Sequence, residues 1–514
     1  MASDVWSTVD RLLARARTLP LKDDEAADLA DAALDCGREQ EALRPVMAAA
    51  NRFKTRAVLW QWLALLHRAM DDHEPALRAF ERAARMNARD ARIAHGLART
   101  TFEAGLPATA LFDRALALAP GDGEVLVGRV AALCAEGHVD QALVGMDALL
   151  AQNPGWLAGH ELAARLRYVY GERDNFTVSV QRALAAAPRD PNLWRTLLIL
   201  LIHADRFDEA VAVAGRARSL IGENIAVLAN EAAALSELGR SVEADAIYAR
   251  IAGYDDISLA VRHIRHLLRT GRIDAAAARA EPLVHRPEAN LIWPYLSIAW
   301  RMLGDPRWAW LEGDPAFVGE YDLRGALPPI DRLADLLRGL HNSVHQPLDQ
   351  SLRGGTQTDG NLFQRIEPDI RRLRAAIVDA VHSHIAQLPA YEAKHPLLSQ
   401  RRDRPVRFAG SWSVRLTNAG HHANHNHPAG WLSSAFYVVL PDKQPGEVRD
   451  AGQLALGIPQ VELGLNLPAT RMVQPKPGHL ALFPSTMWHG TLPFREGERM
   501  TVAFDVASPG HHNG

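Results

Sequence analysis

Cysteine is nearly missing from this chain: 514 residues hold two, Cys36 and Cys134. Two cysteines cannot build a disulfide framework, and both sit in alanine-rich helical sequence, where they read as small core residues. Charge of one sign is lacking as well. The formal net charge is -3, so there is no global basic field for nucleic acid and no acidic tail. Arg401-Arg402 is too short a basic run to read as more than a solvated face. No apolar run is long enough to span a bilayer. The opening MASDVWSTVDRLLARARTLP lacks the uninterrupted apolar stretch of a signal peptide. The expectation is a reducing, cytoplasmic setting, with neither nucleic acid nor membrane as partner.

What is present begins with a repeat. Hydrophobic residues make up 48% of the chain, enough for more than one buried core at this length. From residue 1 to about 304 the sequence is rich in Ala, Leu and Arg at helical spacing. Pro120, Pro154 and Pro188 stand 34 residues apart, as do Gly137 and Gly171, Ala108 and Ala142, and Ala210 and Ala244. Gly239 falls two further periods beyond Gly171. Glycine suits a left-handed turn between antiparallel helices, alanine lets two helices approach closely, and proline ends a unit. This 34-residue helix-turn-helix period resembles the tetratricopeptide repeat. The segment 57–90, with Trp60, Leu63, Ala76, Phe80 and Ala83, fits as an earlier unit. The pattern is degenerate, because Phe176 replaces an alanine and Asp205 a glycine. A solenoid of such repeats presents a groove, and the expected occupant is a protein or peptide. A plain spacer or oligomerisation scaffold fits the same pattern.

Near residue 305 the composition changes. Trp308, Trp310, Pro315 and Tyr321 cluster there, and the expected organisation is 1–304 helical repeat, 305–404 connecting segment with supporting helices, and 405–510 a β-rich core. The segment 350–358, QSLRGGTQT, reads as a glycine-containing loop. Arg353, Gln357 and Thr358 in it either face a substrate or pack a following helix, which starts near Pro368-Asp369. The order of its residues is not that of a phosphate-binding loop.

From 405 onward short strands alternate with turns: RFAGSWSVRLT, FYVVL, a strand after Pro475-x-x-Gly478, and ERMTVAFDV at 498–506. Between them lie His421, His422, His425 and His427, and later His489. Residues i and i+2 of an extended chain project to one side, so His425 and His427 can share a metal. His489 supplies a third imidazole from a distant turn. A mononuclear iron oxygenase needs such a facial set with open positions. Ten residues past His489 comes Arg499, with Thr501 on the same face, a pair suited to gripping a carboxylate. Tyr437, on the strand after the histidine pair, is a further candidate contact, or simply core.

These segments, 411–416, 425–441, 483–494 and 499–505 together with QSLRGGTQT, resemble bacterial 2-oxoglutarate/Fe(II) oxygenases fused behind tetratricopeptide repeats. The architecture is similar to that of aspartyl/asparaginyl β-hydroxylases and of prolyl-hydroxylase-type jelly-roll oxygenases. The resemblance implies a multidomain α + β chain: a helical solenoid followed by a double-stranded β-helix. It implies Fe(II), 2-oxoglutarate and O2 as cofactor and cosubstrates, and hydroxylation of a polypeptide side chain. It also suggests Ser413 as a cosubstrate contact. The chain departs from the usual H-x-D, since His425-Asn426-His427 carries no carboxylate. Two readings follow: three ligating histidines, which we favour, or two, with His427 supporting them from outside the coordination sphere. Asp442, Glu447 and Asp450 are more remote candidates for a carboxylate ligand. Arg415 has either a substrate or a surface acid as partner. Trp431 and Trp488 either wall the pocket or pack, and His421 and His422 are expected in a loop, one of them touching substrate. His511 and His512 belong to a tail expected to be disordered. Two other activities fit the same residues: hydroxylation of a small or carrier-tethered amino acid, and a non-catalytic scaffold whose barrel holds a metal.

Overall fold

The computed structural model describes residues 2–348 and 350–509; His511 and His512 lie outside the described residues. The chain divides into two compact units, residues 1–145 with 360–371, and residues 146–359 with 372–514.

Both units use the same helical-hairpin grammar. Where a first helix turns into the second, one residue adopts a left-handed conformation: Asp71, Gly105, Gly137, Gly171, Asp205, Gly239 and Gly271. Asp71 and Asp205 stand where a glycine is expected and still take φ 55° and 57°, which aspartate tolerates better than most residues. A second mark recurs at the start of the first helix. Asp90, Asp122, Asp190, Asn224 and Asp256 each accept hydrogen bonds from the backbone N–H groups of the first turn. Such caps contribute about 1 kcal/mol each. Trp156 occupies the equivalent place in one repeat and makes no such bond. In that same repeat Phe176, which replaces the usual alanine, is fully buried against Tyr168, and the second helix starts late, at Val178.

In the first unit a buried node ties three helices. Glu103 accepts from Arg68 Nε at 2.6 Å and lies 3.1 Å from His73 Nε2. Burial alone would raise the Glu103 carboxyl, but these partners outweigh it and hold it down to about 2.

The second unit carries the remaining repeats and all the strands: β1 (Gly319–Asp322), β2 (Leu352–Gln357), β3 (Phe408–His422), β4 (Gly430–Val439), β5 (Leu454–Leu456), β6 (Arg471–Val473), β7 (His479–Pro484), β8 (His489–Thr491) and β9 (Glu498–Ala507). They form a six-stranded antiparallel sheet ordered β1-β7-β4-β9-β3-β2 and a three-stranded sheet ordered β6-β5-β8. Between the two sheets pack Ala435, Tyr437, Leu454, Leu456, Val473, Ala481, Phe483 and Met487. The fold is therefore the expected combination of a tetratricopeptide-like helical region and a jelly-roll. QSLRGGTQT is not a loop. It is edge strand β2, paired with β3 through Gly355↔Leu416 and Gln357↔Val414. Its glycines are used for close approach: a Cβ on Gly355 would lie 2.2 Å from the Arg415 carbonyl. The helix expected from Pro368 runs Pro368–Gln387.

Within this unit the last repeats brace the barrel. Trp488 donates its indole N–H to the Pro294 carbonyl at 2.8 Å and packs edge-on against Tyr295. Arg301 donates to the carbonyls of Gly457 and Pro468, and Arg265 bonds Gln460. Trp488 therefore serves packing, as does Trp431, whose indole donates to the Leu397 carbonyl.

Candidate metal centre

Strand pairing brings the three histidines together. His425 and His489 form an isolated antiparallel bridge with reciprocal N–H···O bonds of 2.9 Å. His489 is the first residue of β8 rather than a turn residue. The His427 N–H donates to the Ser485 carbonyl at 2.8 Å. As a result one nitrogen of each of His425, His427 and His489 lies within 4.8 Å of the others.

Each ring is held by its Nδ1. His425 Nδ1 is 2.8 Å from the Ala423 carbonyl and His489 Nδ1 2.9 Å from the Met487 carbonyl. His427 Nδ1 is 2.6 Å from the Asp505 carboxylate. Carbonyls and carboxylates only accept, so Nδ1 carries the proton of each contact, which leaves Nε2 as the nitrogen of each ring that can ligate. Imidazole ligands oriented through the other ring nitrogen are the usual design of a metal site. Burial, reinforced by the neighbouring imidazoles, holds His425 and His489 well below the ordinary histidine range. Both are thus neutral, the ligating form.

Asp505 is the carboxylate missing from the H-x-H motif, but it is placed behind His427 rather than beside it. Its other oxygen accepts from Ser433 Oγ at 2.5 Å. The β9 alternation Arg499, Thr501, Ala503, Asp505 points to it, because all four face one way. Of the acids considered from sequence, Glu447 is spent on the backbone N–H groups of Gln444 and Arg495.

The same face carries the cosubstrate candidates. β9 pairs with β4 through Tyr437↔Thr501 and Ser433↔Asp505, and with β3 through Val414↔Thr501 and Leu416↔Arg499. Tyr437 and Arg499 meet, with the guanidinium 5.5 Å from the ring centre. Arg499 is 2% exposed. Among the described residues its Nε has no hydrogen-bond partner, and neither has the Tyr437 hydroxyl. Among the described residues no carboxylate pairs with Arg499, and burial lowers its pKa. Burial also pushes the Tyr437 hydroxyl up to about 12. A buried cation without a counterion costs several kcal/mol, and an anion seated there would remove that cost.

Ser413 is not brought to this face. It pairs with Val502, on the other side of the sheet. Its Oγ lies 3.1 Å from His341 Nε2, and its backbone N–H donates to Thr358 Oγ1. Parity along β3 decides this: Trp412 and Val414 face the interior and Ser413 does not. Arg415 pairs with a surface acid, Glu498, at 2.6 Å. Arg353 bonds backbone carbonyls of its own segment.

The sequence pattern gives Trp412 no role and places His422 in a loop. Trp412 stacks on His427 with ring centres 5.7 Å apart. His422, at the end of β3 rather than in a loop, lies 5.8 Å from the His425 ring. Burial lowers His422 to about 3.

A helical-repeat region and a jelly-roll with three converging imidazoles beside a buried, unpaired arginine define a class of protein, and comparison with known families agrees. Residues 410–505 match a family described as "Putative 2OG-Fe(II) oxygenase". Residues 107–166 match the tetratricopeptide repeat family. Comparison with curated proteins yields no match. Among solved structures, a Pseudomonas putida prolyl-4-hydroxylase is 17% identical over 38% of this chain and 94% of its own, with a TM-score of 0.26. A Parabacteroides merdae tetratricopeptide repeat protein is 16% identical over 46% of this chain and 95% of its own, TM-score 0.30. Yeast Tom70 is 18% identical over 55% of this chain and 63% of its own, TM-score 0.34.

Proposed function

We propose that the chain is an Fe(II)- and 2-oxoglutarate-dependent dioxygenase that hydroxylates a side chain of a protein or peptide recruited by its repeats. The observation that carries this reading is Arg499, a buried cation lacking a counterion, on the same face of the barrel as three imidazoles whose Nε2 atoms are free to ligate. The residues fit both absent groups. His425, His427 and His489 would hold the ferrous ion. Arg499, with the Tyr437 hydroxyl and Thr501 beside it, would hold the far carboxylate of the dicarboxylic acid.

Once bound, iron and 2-oxoglutarate would supply the oxidation with O2 as the oxidant: one oxygen atom of O2 would leave in succinate as the oxo acid loses carbon dioxide, and the other would enter a C–H bond of the substrate as a hydroxyl group. The chain's own residues bind, orient and exclude water. Asp505 keeps the His427 proton on Nδ1, so that its Nε2 stays directed at the metal position. Phe483, with its ring 4.7 Å from that of His489, and Trp412 give the site apolar walls. The family matches support an oxygenase joined to repeats, and repeats of this kind commonly present protein-binding grooves; the polypeptide substrate rests on that pairing.

The test is iron-dependent conversion of 2-oxoglutarate to succinate by the full chain, compared with His489→Ala. We expect turnover in the wild type and none above background in the variant. Equal, iron-dependent succinate formation by both would overturn the assignment. Adding fractionated cell extract separates the substrate classes: the polypeptide fraction should stimulate turnover and carry the added oxygen. Stimulation by the low-mass fraction alone would favour a small-molecule substrate.

A further inference from the structure

We propose that His422 is a cosubstrate-binding residue that joins Arg499 and Tyr437 in gripping the far carboxylate of 2-oxoglutarate; this rests on the dioxygenase reading above.

Strand register places it. His422 pairs with Leu352, which packs with Val414, Leu416 and Phe494. Leu416 in turn stands opposite Arg499. His422 therefore shares the interior face with Arg499, while its neighbour His421 pairs with Arg353. His422 is not one of the three histidines whose nitrogens converge on the metal position. Its Nε2 is nonetheless buried and without a hydrogen-bond partner, like Arg499 Nε and the Tyr437 hydroxyl. Three unsatisfied polar groups on one interior face, each costly to leave unpaired, call for a single polar ligand. An imidazole N–H, a phenol and a guanidinium are all donors, and a carboxylate accepts from all three.

The backbone is bent to deliver His422. Between Leu416 and His421 strand β3 holds more residues than its partner β2 holds between Gly355 and Arg353. The excess is taken up at Asn418 and Ala419, consecutive non-glycine residues at φ 39° and 66°. Left-handed backbone is strained at an alanine, whose Cβ crowds the neighbouring carbonyl. Gly354 and Gly420 meet beneath this bulge, where a Cβ on Gly420 would lie 2.5 Å from the Gly354 carbonyl oxygen. Such strain persists where the surroundings over-determine it, and here its product is the register that turns His422 inward.

The experiment is anaerobic titration of the cobalt-loaded full chain with 2-oxoglutarate, and with pyruvate, which lacks the far carboxylate. Binding is read from the cobalt absorption spectrum. His422→Leu should bind 2-oxoglutarate about 10-fold more weakly and pyruvate as wild type does. His422→Gln, whose amide nitrogen reaches the Nε2 position, should recover to within about 3-fold, whereas the shorter His422→Asn should not. Unchanged 2-oxoglutarate affinity in His422→Leu, or equal weakening for both acids, overturns the proposal. Should His422→Leu fail to take up cobalt, the glutamine and asparagine variants carry the test, and equal affinities for those two overturn it. A wild-type chain that binds cobalt but no 2-oxoglutarate would instead sink the dioxygenase reading itself, a separate outcome.

Discussion

The three imidazoles differ in what fixes them. His425 and His489 are each held by a carbonyl two residues earlier in the chain, so local backbone sets their tautomer. His427 depends on a side chain, Asp505, 78 residues away. That makes Asp505 the most sensitive point for a mutation that leaves the ligands themselves intact. Asp505→Asn keeps the shape but loses the charge, and Asp505→Ala loses the hydrogen bond too. Metal affinity is expected to fall about 10-fold and about 100-fold respectively, measured by cobalt titration. Unchanged affinity in Asp505→Ala would show that His427 does not ligate. The spacing of the histidine pair, the distal histidine and Arg499 is legible in the sequence, and the three histidines do converge. Asp505 is not legible, because a carboxylate acting through a hydrogen bond has no spacing signature. The face on which Ser413 falls is not legible, because strand parity shows only against the partner strand.

At the scale of elements, the repeat hairpins were legible from glycine, alanine and proline, yet the residues replacing them carry equal weight. Asp71 and Asp205 take the left-handed turn without being glycine. The aspartate and asparagine caps recur with the repeat but vanish into a sequence already rich in acids. Strand β2 reads as a loop in the sequence, since Gly-Gly weakens a strand on its own and only pairing with β3 makes it one. The Glu103 node offers a test by pH. Its carboxyl is held down to about 2 in the folded chain, below its unfolded value near 4.5. Folding therefore gains stability from it above pH 4.5, and the gain drains away as pH falls toward 2. Glu103→Gln should lower stability by about 2–3 kcal/mol at pH 7. The gap between wild type and variant in denaturant melts should close on acidification. A gap that stays constant from pH 7 to pH 3 would contradict the ion-pair account.

On the scale of the whole molecule, repeats and barrel are not independent in the second unit. Trp488, next to His489, is anchored on the Pro294 carbonyl, and Leu463 and Trp488 share a core with Trp293 and Trp300. Among the described residues no helix is long and apolar enough to cross a membrane. Under the proposed function, this barrel keeps the Arg499 cation buried for an anionic cosubstrate. A stability measurement on Arg499→Met tests it most directly. Removing an unpaired buried charge should raise the melting temperature of the ligand-free protein, while cobalt uptake is retained. The stabilisation that 2-oxoglutarate confers on the wild type through binding only the folded state should be lost. A variant that melts lower without ligand, yet is still stabilised by 2-oxoglutarate as the wild type is, would contradict the account.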